Sequence, residues 1–203
     1  MRSLKSIKVL DAIWEKVGDE EFKSIEFVEA DLTNLDSMIN ACQDVDYVIH
    51  TASPVTEGSK ESDFVIPAVD GVKGIMKGCE KYKVKKCIIT SSMLTMIDWN
   101  STEKTRYTSD YWVDPETTTD FYQKSKILAE KFAFDFASNQ TGTKFELISI
   151  LPAFIIGPPL LNSKSPSIKI FVEMLNRKYP MVPDLNMICC DVWNVAQAHV
   201  NAI

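Results

Sequence analysis

The chain is poor in glycine: seven residues in 203, with no Gly-x-x-Gly-x-x-Gly turn behind a strand, the feature by which dinucleotide folds cradle a pyrophosphate. Long hydrophobic runs are missing as well. No stretch approaches the roughly eighteen apolar residues of a membrane span, and the opening Met1-Arg-Ser-Leu-Lys-Ser lacks the apolar stretch of a signal peptide. A cytoplasmic protein without a membrane partner is expected. Basic residues form no long block, and 28 acidic against 22 basic residues leave a net charge of -6, which argues against nucleic-acid binding. Histidines number two, His50 and His199, and the five cysteines show no C-x-x-C spacing, so no metal site is expected. Cys42, Cys79, Cys87, Cys189 and Cys190 read as buried reduced thiols. Without a secretory signal, the glycosylation triplets at Asn100 and Asn139 carry no weight.

What is present suits one soluble core: 45% hydrophobic and 25% charged residues. Short apolar runs alternate with helical patterns. Residues 25–30, 45–51, 87–90 and 145–151 read as strands. Helices are expected around Leu35 to Cys42, from about Ile66 to Tyr82, and from Tyr122 to about Ser138. Strands separated by helices predict a parallel sheet with helices on both faces. In such sheets ligands sit beyond the carboxyl ends of the strands. Polar candidates fall at each of those ends: Asp31 and Leu32, His50 to Pro54, Ser91 and Ser92, and Pro152 to Pro158.

The chemistry is best read from Tyr122 and Lys126, four residues apart on a predicted helix and so on one face of it. An ammonium near a phenol favours the phenolate, which predicts a lowered Tyr122 pKa and a usable proton donor and acceptor. The hydroxyls of Thr90, Ser91 and Ser92 end the preceding strand. Any of them can cap it; one can orient a substrate oxygen. Tyr82 and Lys86 repeat the spacing, but a turn interrupts it, so Tyr82 reads as structural. The polar segment from Asn100 to Asp120 is expected to cover the site, with Trp112 either a substrate wall or the apolar anchor of the loop.

These motifs, in their order, resemble those of the extended short-chain dehydrogenase/reductases, within the epimerase/dehydratase superfamily, and their dihydroflavonol-reductase-like group. Glu29-Ala-Asp-Leu-Thr33, Val48-Ile-His-Thr-Ala-Ser-Pro54, Ile89-Thr-Ser-Ser92, Thr108-Ser-Asp-Tyr-Trp112, Tyr122-Gln-Lys-Ser-Lys-Ile-Leu-Ala-Glu130, Pro152-Ala-Phe-Ile-Ile-Gly-Pro158 and Val195-Ala-Gln-Ala-His199 carry the resemblance across almost the whole chain. It implies an α/β, Rossmann-like fold and a catalytic set of Ser92, Tyr122 and Lys126. It also implies NADP, with NAD as the alternative, held by Arg2, Asp31, Leu32, Thr51, Ala52, Ser53, Lys126, Pro152 and Ile155. The substrate would be a small-molecule ketone or aldehyde touching Ser92, Trp112 and Tyr122.

Aligned this way, the chain is expected to lack the first strand, glycine-rich loop and first helix of the family, with residues 1–8 as the tail of the second strand. Residues 1–203 then form an incomplete NAD(P)-binding domain: roughly 1–160 for cofactor and catalysis, 161–203 for the start of a substrate-binding part. Weak NADP(H) binding by such a fragment is expected. Gly71, Gly74 and Gly78 align with a helix and predict close helix packing instead of a phosphate loop. The alternatives are a non-catalytic relative serving as a binding module, and a nucleotide-sugar epimerase or dehydratase, whose phosphates only Arg177 and Lys178 would meet in the carboxyl part. Oligomeric state is left open by the sequence.

Overall fold

The structure, a computed structural model, describes residues 7–54, 60–98, 107–158, 165–181 and 187–203, with side chains from residue 11 onward. Its centre is a three-stranded parallel sheet, β1 (Tyr47–His50), β2 (Lys86–Thr90) and β3 (Glu146–Ile150), in that spatial order. Register puts Val48, Cys87 and Leu147 side by side, and Ile49, Ile88 and Ile148 on the opposite face. The first set joins the main core, under α4 (Glu61–Tyr82) and α5 (Phe121–Ser138), which pack along each other. Such βαβ crossovers are what parallel pairing requires.

Three helices frame this unit: α1 (Ile7–Val17), α2 (Asp19–Lys23) and α3 (Leu35–Asn40). Helix α3 lies against α4 along the glycine stripe. A Cβ on Gly71 would fall 2.4 Å from Leu32 Cδ2, one on Gly74 2.5 Å from Met38 Cβ, and one on Gly78 2.7 Å from Cys42 Sγ. The glycines let the helices touch backbone to side chain, as the sequence predicts. Beyond β3 come a second parallel pair, β4 (Phe154–Ile156) with β5 (Cys189–Asp191), then α6 (Pro166–Leu175) and α7 (Val192–Asn201). Helix α7 meets the other face of the main sheet: the Thr90 hydroxyl and His199 Nε2 stand 2.7 Å apart.

Four expectations are corrected. Residues 25–30 form no strand; Ile25 and Val28 are exposed, so no apolar face there is buried to reward extended pairing. Ile7 and Lys8 open α1 in place of ending a strand, because the apolar residues of 7–17 recur at helical spacing. Helix α4 starts at Glu61, before Pro67, whose ring the early turns accommodate. The expected thiol burial holds for Cys42, Cys79 and Cys87, whereas Cys189 is exposed and Cys190 half-buried on the short β5. At Cys42, hydrogen bonding to Cys79 and then burial raise the thiol pKa, so this thiol is kept from the reactive thiolate form.

Candidate active site

Helix α5 presents the pair. Asp120 caps it, its Oδ1 accepting the Tyr122 N–H at 2.9 Å, a bond that contributes about 1 kcal/mol to such a helix start. Tyr122 and Lys126 follow one turn apart, with Lys126 Nζ 5.8 Å from the phenol ring centre. The ammonium donates to the Thr90 carbonyl at 3.0 Å, which fixes it at the carboxyl end of β2. Tyr82, by contrast, ends α4, and Lys83 after it turns left-handed at φ 59; its hydroxyl donates to Asn40 Oδ1 at 3.2 Å. The second Tyr-x-x-x-Lys is structural, as expected.

The three strand-end hydroxyls have separate partners. Thr90 Oγ1 meets His199, and Ser91 Oγ donates to Glu130 Oε2 at 3.0 Å. Since His199 Nδ1 faces the Val195 carbonyl at 2.7 Å, that nitrogen carries the proton in the neutral ring and Nε2 accepts from Thr90. Ser92 Oγ accepts the Leu94 N–H at 3.3 Å, and among the described residues donates to none. Its hydrogen is left for a ligand oxygen. The turn after Ser92, a 3-10 helix over Met93–Thr95, is pinned to α5 by buried Gln123, whose Nε2 donates to the carbonyls of Leu94 and Ile97 at 2.9 and 2.8 Å. Gln123 thereby sets Ser92 against Tyr122, a role that no motif spacing announces.

Ser92, Tyr122 and Lys126 line one cleft of about 560 Å³, within the usual range for small-molecule sites. Of the residues predicted for the cofactor, Thr51, Ser53, Lys126, Pro152 and Ile155 line the same cleft. Ala52 borders a smaller adjoining space. Asp31 and Leu32 stand apart: the Asp31 carboxylate accepts the Thr33 N–H at 2.9 Å, and Leu32 is buried beneath Gly71. Arg2 lies outside the described residues. Trp112 does not line the cleft; its ring packs against Phe134, centroids 5.7 Å apart, and its Nε1 donates to Glu130 at 3.3 Å. That is the geometry of a loop anchor. The described part of the covering segment runs along α5, with Val113 buried and its N–H on the Thr95 carbonyl. Lys178 is engaged with Glu173 at 2.6 Å, which removes one of the two cations considered for a nucleotide-sugar phosphate.

Charge in the site differs from expectation in one respect. The Tyr122 phenol is pushed up from its ordinary pKa, first by burial and then by the Asp120 carboxylate, and is not lowered by Lys126. Burial lowers the Lys126 ammonium to about 8, with Glu130 opposing that shift. The desolvated phenolate costs more than a cation turned toward Thr90 returns. Tyr122 is thus a protonated phenol at neutral pH, the form a proton donor must have.

His50, buried at the end of β1, is pushed down to about 4 by burial and then by the Lys126 charge. Its folded pKa lies below the ordinary 6.5, so between those values the unfolded chain binds the extra proton and stability is lost as pH falls. From pH 7 to 4.5, the wild type is expected to lose about 2 to 3 kcal/mol more than His50→Gln in urea unfolding. Equal losses would remove His50 as the cause.

The sequence pattern of the 3-beta hydroxysteroid dehydrogenase/isomerase family matches residues 1–203. Among curated proteins, the chain is 30% identical to an anthocyanidin reductase of Arabidopsis thaliana over 169 residues, which are 78% of this chain and 49% of that protein. It is 36% identical to the dihydroflavonol 4-reductase of the same plant over 149 residues, 69% of this chain and 38% of the relative. The chain therefore spans half or less of the length of these two relatives. Among solved structures, the yeast methylglyoxal/isovaleraldehyde reductase complexed with NADPH superposes with a TM-score of 0.77 at 28% identity, covering 100% of this chain and 65% of that one.

Proposed function

The chain belongs to the 3-beta hydroxysteroid dehydrogenase/isomerase family and has its Rossmann-like fold, and from that premise we propose that it carries the catalytic part of an NADP-dependent reductase of a ketone or aldehyde. One observation carries the reading: Ser92, Tyr122 and Lys126 converge on a single cleft with five of the residues predicted to hold the cofactor. The relatives point the same way, being reductases by name and, for the yeast enzyme, a complex with NADPH.

Thr51, Ser53, Lys126, Pro152 and Ile155 fit the nicotinamide half of the cofactor by the chemistry they offer: small hydroxyls, a buried cation, and apolar surface for a ring face. Bound NADPH supplies the hydride; this chain supplies placement and the proton. Ser92, with its hydrogen free, orients the carbonyl oxygen. Tyr122 donates its proton to that oxygen as negative charge builds there. Lys126, anchored on the Thr90 carbonyl, stabilises the phenolate left behind. Arg2 remains the proposed contact for the 2′-phosphate, and Asp31 with Leu32 for the adenine.

Steady-state NADPH oxidation by the purified protein, across ketones and aldehydes and across pH, tests this. Because Lys126 must stay charged and its pKa is about 8, turnover is expected to fall as pH rises through about 8, a loss of about tenfold per unit once the group is neutral. The raised Tyr122 phenol is protonated throughout that range. No NADPH-linked turnover of any carbonyl would overturn the proposal, and a rate flat to pH 10 would remove the role given to Lys126.

A further inference from the structure

Tyr122, Lys126 and Glu130 follow one another at single-turn spacing along α5. Glu130 is almost fully buried, 3% exposed, which for a carboxylate demands partners. Both recorded donors, Ser91 Oγ at 3.0 Å and Trp112 Nε1 at 3.3 Å, reach the same oxygen, Oε2, and both are neutral. The cation that answers its charge is Lys126. The two side chains border one small space of about 20 Å³, room for no more than a single water, with His50 and Ser91 around it. The other charged or titratable groups facing Lys126 are Tyr122 from the same helix, Asp120 at its cap, and His50 from β1.

We propose that Glu130 is a positioning residue for the reaction: its buried carboxylate keeps the Lys126 ammonium charged and ties α5 to the β2 end through Ser91 and to the preceding segment through Trp112. This rests on the reductase reading for its purpose, though not for its test. Without Glu130, burial acts on Lys126 unopposed and the neutral amine prevails near neutral pH. The bond from Ser91 then gives the carboxylate a second task, since a hydroxyl committed to Glu130 is withdrawn from the cleft and Ser92 alone is left to meet the carbonyl oxygen.

The test is a side-chain NMR titration of the purified chain with 15N-labelled lysine, the Lys126 signal being identified by its disappearance in Lys126→Met. The wild-type midpoint is expected near 8, and Glu130→Gln should lower it by about one pH unit or more. Glu130→Asp, which keeps the charge on a shorter stem and so preserves the fold if the glutamine does not, should lower it part of the way. An unmoved midpoint in either folded variant, judged by its amide spectrum, overturns the proposal. Because the titration needs no turnover, its failure is distinct from failure of the reductase assay.

Discussion

Tyr122→Phe is expected to lower kcat by about 10²- to 10⁴-fold with little change in KM, the usual cost of deleting a general acid that acts only in the transition state. The substitution removes one oxygen. Helix α5 keeps its Asp120 cap, because that bond is made by the backbone N–H of residue 122, and the ring keeps its place beside Lys126. Loss of structure is thus a poor rival explanation for a slow variant. The chain also carries its own control: Tyr82→Phe deletes a hydroxyl from the other Tyr-x-x-x-Lys and forfeits only the bond to Asn40, so turnover should be unchanged. NADPH oxidation at saturating carbonyl reads both. Full turnover in the Tyr122 variant would sink the assignment of the proton donor.

The largest stability effect is expected at Gly78. Helix propensity alone would make Gly78→Ala stabilising by about 1 kcal/mol. Contact geometry opposes it: the new methyl would lie 2.7 Å from Cys42 Sγ, 2.9 Å from Cys42 Cβ and 2.9 Å from the Ile39 carbonyl oxygen. A flexible side-chain tip can swing aside, but a Cβ and a backbone oxygen move only if α3 retreats from α4. Overpacking of this kind typically costs about 1 to 3 kcal/mol, and three short contacts in one place put Gly78 at the upper end. A net loss of about 2 kcal/mol is expected, a fall of about 4 to 8 °C in Tm for a domain of this size. Gly142→Ala, where a Cβ would sit 3.6 Å from Glu80 Oε1 at ordinary contact distance, should leave Tm within about a degree. Thermal unfolding followed by circular dichroism decides between propensity and packing. A Gly78 variant more stable than the wild type would show that α3 yields freely.

Much of this was readable from residues because the signals are local and mutually consistent. Three β-branched, apolar runs gave β1, β2 and β3, and the 3.6-residue period gave α4 and α5 to within a few residues. The glycine stripe was legible for a different reason: spacings of three and four with no strand ahead of them exclude a phosphate turn and leave close packing. What stayed hidden depended on tertiary partners. Residues 25–30 have strand chemistry, yet their apolar side chains stay exposed, and pairing cannot be read from one segment. Strands β4 and β5 are three residues each, too short to carry a period. Gln123, Glu130 and His199 lie within or beside quoted motifs, but their roles follow from which carbonyl, hydroxyl or indole they meet, and nothing in their spacing states that. The direction of the Tyr122 shift was missed because helical spacing brings Lys126 near without saying where its Nζ turns or how deeply the phenol is buried.

Thr90 presents its carbonyl oxygen to Lys126 and its hydroxyl to His199, so two parts of the protein are fastened to the same residue from opposite sides. In mechanical terms it is a junction with almost no lever arm: a displacement of α7 need cross only one residue's framework to reach the catalytic ammonium. Helix α7 sits next to β5 and near the end of this chain, far in sequence from β2. A load applied there, whether by substrate or by a neighbouring segment, would be registered at the site as a change in the length of a single 3.0 Å bond.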